Sequence, residues 1–138
     1  MATKGKCLTV KAARLVKSAR CMSIGMRLAS AHEALIDASF KLGERSRTKA
    51  ERAHGTASRL GTAVRDLEDL RRLNGSVWKK ASPIHKSLER AERILRVGEL
   101  NKKNLEAVRD RMFRARYGLE ELETVAAQHC GHPKLSLR

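Results

Sequence analysis

A chain of 138 residues with a formal charge of +15 and 41% apolar residues is sized for one domain with a real core. The apolar fraction excludes a chain disordered throughout, and no apolar run reaches the ~18 residues of a membrane span. At 3% aromatic residues, modules that read single strands on aromatic platforms are disfavoured, while the charge speaks of partners and not of fold.

The chain opens on a stretch without acids. From Met1 to His32 there is no Asp or Glu, but there are Lys4, Lys6, Lys11, Arg14, Lys17, Arg20 and Arg27. The first acid is Glu33. Such a run repels itself and becomes favourable beside a polyanion, where each cation neutralises a phosphate and releases a counterion. Residues 1–8 read as a basic arm, residues 9–131 as a helical bundle and residues 132–138 as a C-terminal tail.

A helical pattern begins near Thr9. Leu8, Ala12, Leu15, Ala19, Met22 and Met26 are spaced 4-3-4-3-4, which predicts one helix face. A second register, Leu28, Ala31, Leu35, Ala38 and Leu42, follows. Gly25 and the capping-box pattern Ser30-Ala-His-Glu33 allow a break between them, but one long helix ending at Gly43 is preferred.

Thr48-Lys-Ala-Glu51 is a capping box ahead of the next helix, whose apolar row is Ala53, Ala57, Leu60, Val64, Leu67 and Leu70. Ala53, Ala57 and Gly61 share one face and allow close approach of another helix. The helix should end near Leu73, with Asn74-Gly75 as a turn and residues 74–82 as a connection. Ser82-Pro83 then reads as a helix start, followed by Ile84, Leu88, Ala91 and Leu95 and a stop at Gly98. Asn101 can cap the last helix, with Leu100 and Leu105 as a hydrophobic staple. Its row, Leu105, Val108, Met112, Ala115, Leu119, Leu122 and Ala126, runs to a stop at Gly131 and Pro133. The expected fold is all-α, an antiparallel bundle of four to five helices with a basic N-terminal arm.

Cys7, Cys21 and Cys130 are odd in number and scattered, which argues against a disulfide framework and for a reducing, intracellular setting, the cytoplasm ahead of the mitochondrion. No uninterrupted apolar core suggests a secretory signal. The acid-free, amphipathic start also fits a mitochondrial presequence. His129-Cys130-Gly131-His132 groups three metal-type side chains, and Cys7 or Cys21 could in principle supply a fourth, but nothing in the sequence pairs them, so no metal or other cofactor is expected. The chain carries no Gly-rich phosphate loop, nucleophile elbow or His-Glu-x-x-His, and no enzyme activity is expected. Trp78 beside Lys79-Lys80 reads as an anchor for its segment more than as a base-stacking platform.

Acids are interspersed among the cations of 65–72, as on any solvated helix face, but not among those of the first 32 residues. Further clusters are Lys86, Arg90 and Arg93, and Arg109, Arg111, Arg114 and Arg116. No helix-turn-helix spacing, zinc-finger ligand set or RRM signature accompanies them. Lys and Arg without base-reading context imply phosphate contacts. The expected binding residues are therefore Lys4, Lys6, Lys11, Arg14, Lys17, Arg20 and Arg27, with Arg90, Arg93, Arg109, Arg114 and Arg116 in support. In size, helicity and charge the chain resembles the small helical subunits that line nucleic acid in CRISPR effector complexes, and equally small basic proteins of ribosomes and viral nucleoprotein cores. That resemblance covers architecture and implies a structural subunit of a nucleoprotein complex, bound to nucleic acid (RNA ahead of DNA), to other subunits or copies of itself, and not to a membrane. The competing expectation is a helical interaction scaffold whose charge serves solubility.

Overall fold

The structure is a computed structural model that describes residues 10–130, with the side chains of residues 19–128 and of Cys130. The basic arm and the tail, with Lys4, Lys6, Cys7, Gly131, His132 and Pro133, lie outside the described residues. Among those described, every regular element is a helix: α1 (Val10–Gly43), α2 (Lys49–Leu73), α3 (Gly75–Val97) and α4 (Lys102–Cys130). Each helix packs on the one before it, and α4 closes against α1. No helix contacts the one diagonally opposite among the described residues, so the bundle is a closed square of antiparallel neighbours.

Local chemistry sets the corners. At Thr48 the capping box forms as the sequence suggests: the Glu51 N–H donates to Thr48 Oγ1 at 3.1 Å, and the Thr48 N–H donates to Glu51 Oε1 at 3.4 Å. Asn74 is the whole junction between α2 and α3. Its N–H donates to the Leu70 carbonyl at 2.9 Å and closes α2, while its Oδ1 accepts from the Val77 N–H at 3.0 Å and opens α3. Gly98 stops α3 with its N–H on the Ile94 carbonyl at 2.9 Å. Asn101 then caps α4 by accepting from the Asn104 N–H at 2.8 Å, and Leu100 and Leu105 both pack against the core.

Three expectations are corrected. Residues 75–82 are helix, and Ser82-Pro83 is not a start: α3 begins at Gly75, and Pro83 lies inside it. A proline in a helix interior costs about 3 kcal/mol. Here Val77 and Ala81, both fully buried, extend the Leu88–Leu95 face by two turns and offset that cost, and Pro83 is turned to solvent.

The second correction concerns α1. It is one continuous helix, as preferred, and Ser30 caps nothing; its hydroxyl donates to Asp66 Oδ2 at 2.6 Å. Yet the row ending in Ala19, Met22 and Met26 faces out, with Met22 64% and Met26 66% exposed. The buried row is Cys21, Ile24, Leu28, Ala31, Leu35, Ala38 and Leu42. This row keeps a 3-4 spacing through to the helix end and therefore faces α2 and α4 over their whole length, which the Met22 row cannot do.

The third is chemical. Cys21 and Cys130 form a disulfide across 109 residues of sequence, with Cα atoms 5.9 Å apart. The antiparallel contact of α1 and α4 brings them together, and sequence distance hides it. The argument for a reducing compartment rested on unpaired cysteines and loses that premise. The bond also removes Cys130 from the His129–His132 cluster.

The remaining rows fall as expected. Ala53, Ala57, Leu60, Val64, Leu67 and Leu70 of α2 are buried, as are Val108, Met112, Ala115, Leu119, Leu122 and Ala126 of α4. Close approach depends on Gly118 of α4, where a Cβ would lie 2.7 Å from Ile84 Cδ1 of α3.

Candidate nucleic-acid interface

Among the described residues, the N-terminal end of α1 extends past its neighbours. Cys21 is tied to Cys130, the last described residue of α4, and Ser23 borders the groove that Leu73, the last residue of α2, also lines. Residues Val10 to Arg20 therefore run about 16 Å past the described ends of α2 and α4, at ~1.5 Å per residue. Four of the expected phosphate contacts, Lys11, Arg14, Lys17 and Arg20, lie on this projection. The structure describes the first three only as helix positions; Arg20 is exposed.

Arg27 lies within the bundle's length, and the bundle's acids hold it. Its Nη1 is 3.6 Å from Asp66 Oδ1, and its Nε is 3.3 Å from Asp69 Oδ2. Arg27 is half exposed and the Asp66 side chain nearly buried, at 48% and 9%. Ser30 and Arg27 together satisfy a carboxylate that burial would otherwise penalise. Arg27 thus has a structural partner that the sequence did not reveal, because Asp66 and Asp69 come from another helix.

The supporting residues fall on two separate faces. On α3, Lys79, Lys86, Arg90 and Arg93 are all exposed, at spacings 7-4-3 that keep them on one outward row, with exposed Glu89 beside Lys86 and Arg93. They cover about 21 Å of helix. Lys79 was missed as part of this row because its segment reads as a connection. The spacing itself was present, and only the helix start hid it.

On α4 the arginines separate. Arg111 and Gly118, seven apart, face α3: Arg111 Nη1 donates to Ser87 Oγ at 3.3 Å, and Gly118 meets Ile84. Arg114 follows on that flank and pairs with Asp110 at 3.1 Å. Arg109, Arg116 and Glu123 form another line seven apart, and Glu123 accepts a hydrogen bond from His32 Nδ1 of α1 at 3.1 Å. Arg109 and Arg116, both exposed, therefore face the α1 side. Arg90 and Arg93 lie with Arg114 on the α3–α4 side; Arg109 and Arg116 do not join them.

Trp78 is partly buried against the core, edge-on to His85 with ring centroids 5.3 Å apart, with the Arg71 guanidinium 4.7 Å from its ring. It anchors α3 to α2. The other three aromatic residues, Phe40, Phe113 and Tyr117, are exposed. Among the described residues, no group of three or more His, Cys, Asp or Glu could hold a metal ion. No helix there is long and apolar enough to cross a membrane. Comparison with known proteins finds no matching family model, no similar curated protein and no similar solved structure.

Proposed function

We propose that the protein is a non-catalytic subunit of a larger nucleoprotein assembly that holds nucleic acid by its phosphate backbone, without sequence preference. The observation that carries this reading is the basic, acid-free N-terminal end of α1, which runs past the described ends of α2 and α4. A cationic helix end without acids of its own gains counterion release from each phosphate it meets. The α3 row adds a second line of cations on the bundle body. Lys4, Lys6, Lys11, Arg14, Lys17 and Arg20 form the principal contact in this reading. Arg90, Arg93 and Arg114 support it from the α3–α4 side and Arg109 and Arg116 from the α1 side, while Arg27 chiefly holds α1 to α2.

The test is a titration of full-length protein against RNA and DNA of several sequences at two salt concentrations. Binding should weaken steeply with salt and vary little with sequence, because phosphate contacts position a chain without reading it. Absence of binding at low salt overturns the reading and leaves a helical scaffold whose charge serves solubility.

A further inference from the structure

Three of the chain's four aromatic side chains stand on its surface. Phe40 of α1 is 71% exposed, and Phe113 and Tyr117 of α4 are 58% and 59% exposed. Low aromatic content argues against a broad stacking platform, but composition counts rings and does not say where they point.

The register of α1 on α4 gathers these three. His32 of α1 is hydrogen-bonded to Glu123 of α4 at 3.1 Å. Phe40 lies eight residues after His32, and eight residues before Glu123 is Ala115, midway between Phe113 and Tyr117. On antiparallel helices rising ~1.5 Å per residue, the three rings therefore share one height, about 12 Å from that hydrogen bond. Eight residues also turn Phe40 roughly 80° from His32, toward solvent. Phe113 and Tyr117 meet edge to face, with centroids 5.1 Å apart and planes at 71°. Such a pair uses one face and one edge, and leaves both faces of one ring and one face of the other.

Charge lies between the rings. Arg109 and Arg116 bracket Phe113 at four and three residues, on the side of α4 turned to α1, and both are exposed. Acids bound the patch along α4: Glu106 comes before the rings, and Glu120 and Glu121 come after them. Asp110 is held by Arg114 at 3.1 Å. Around Phe40, Asp37 is held by Arg59 at 2.9 Å and Glu44 by Arg47 at 2.8 Å, while Glu33 stands two turns away. A polyanion running along α4 meets carboxylates at both ends. One that crosses from α4 to α1 meets rings with two guanidinium groups between them.

The arrangement selects its occupant. Rings set among charges do not form the contiguous, charge-depleted core of a protein interface. An interfacial membrane helix needs one broad apolar face, and here carboxylates interrupt it. A nucleic-acid strand needs only a ring for each base and a cation for each phosphate. In a duplex the bases are already stacked on one another, so the strand must be single.

We propose that the outer side of the α1–α4 seam is a stacking site for unpaired bases. One base lies on the Phe113–Tyr117 pair, a nearby base on Phe40, and the phosphates between them on Arg109 and Arg116. This rests on the reading of the chain as a nucleic-acid binder and adds that the strand is single where it crosses the seam. Stacking tolerates any base, so the site adds affinity without sequence preference.

The test titrates the full chain with oligo(dT), oligo(U) and a DNA duplex of equal length. The single strands should bind more tightly than the duplex. Phe113→Ala with Tyr117→Ala should weaken single-strand binding by about tenfold or more. Duplex binding, the salt slope and the circular dichroism spectrum should not change, since no cation and no buried side chain is lost. Tyr117→Phe keeps the ring and should bind as the wild type does. Tyr117 is also the chain's one tyrosine. Tetranitromethane should nitrate it in the free protein, and oligo(dT) should protect it where the duplex does not. Binding to no nucleic acid at all overturns this proposal together with the reading beneath it. Equal binding of both forms, indifferent to the rings, overturns the stacking site alone and leaves the rings to a protein partner. A Tyr117 that resists nitration in the free protein is covered by its own chain, and overturns the site as well.

Discussion

Arg20 and Arg27 stand seven residues apart on one side of α1, in the same acid-free stretch, and their surroundings differ. Arg27 lies where α2 runs alongside and finds Asp66 and Asp69 there. Arg20 lies one residue beyond the Cys21–Cys130 tie, past the described ends of α2 and α4. A run of like charge in sequence is therefore not a uniform surface. The fold pairs Arg27 with the acids of α2, and Arg20 stays exposed. The tie marks the border between the two behaviours.

The largest effect should come from cutting that tie. Cys21→Ser, or reduction of the wild type, removes a link across 109 residues and should lower stability by about 2–5 kcal/mol. Urea unfolding with and without reductant measures it. The salt slope of nucleic-acid binding should stay the same, since no cation is lost. A fall in the slope would mean that the tie positions the projection, and the border would not be real.

Next comes the contrast between the two apolar rows of α1. Leu28 is 1% exposed and Met22 is 64% exposed. Leu28→Ala should destabilise by about 2–5 kcal/mol, through lost burial and the cavity left behind. Met22→Ala should change stability by less than about 0.5 kcal/mol in dilute, low-salt solution. Equal costs would place both rows in one core.

The projection should carry most of the phosphate binding. Neutralising Lys11, Arg14, Lys17 and Arg20 together to glutamine should reduce the salt slope by about 3 and weaken binding on the order of 100-fold at moderate salt, alike on all sequences. Stability should hold or rise slightly, since like charges are removed. The same number of changes confined to α2, where cations and acids alternate, should leave the slope nearly intact.

How much of this was legible depends on the range of the contacts concerned. Thr48–Glu51, Asn101 with its staple, the stop at Gly98 and the apolar rows of α2 and α4 are decided within a few residues, and sequence spacing shows them. The features that escaped depend on distant residues. Nothing near Cys21 announces Cys130, and nothing near Arg27 announces Asp66. Whether Met22 or Ile24 faces inward depends on where α2 and α4 lie, because both rows have acceptable helical spacing. The start of α3 was missed for a local reason: Ser-Pro is a strong start signal, and it outweighed the weaker apolar spacing from Val77 to Ala81 ahead of it. The excess of cations was plain in the sequence; their distribution over the projection, the α3 row and two flanks of α4 was not.

The smallest effect tests the comparison most sharply. Arg27→Gln removes a half-exposed guanidinium from a nearly buried carboxylate, and solvent screening limits the cost to about 1 kcal/mol. Asp69 keeps its contact with Arg72 at 3.1 Å, so the loss concentrates on Asp66. Asp66→Asn should then recover part of it, because the neutral amide needs no cation and can still accept from the Ser30 hydroxyl. In a double-mutant cycle the pair should therefore cost less than the sum of the single changes. The salt slope of nucleic-acid binding should be untouched by Arg27→Gln and should fall by about 1 on Arg20→Gln. If both arginines lower the slope equally, Arg27 leaves its carboxylates for phosphate when the partner arrives. The charge of the opening stretch would then act as one surface in the complex, whatever pairs it forms in the free protein.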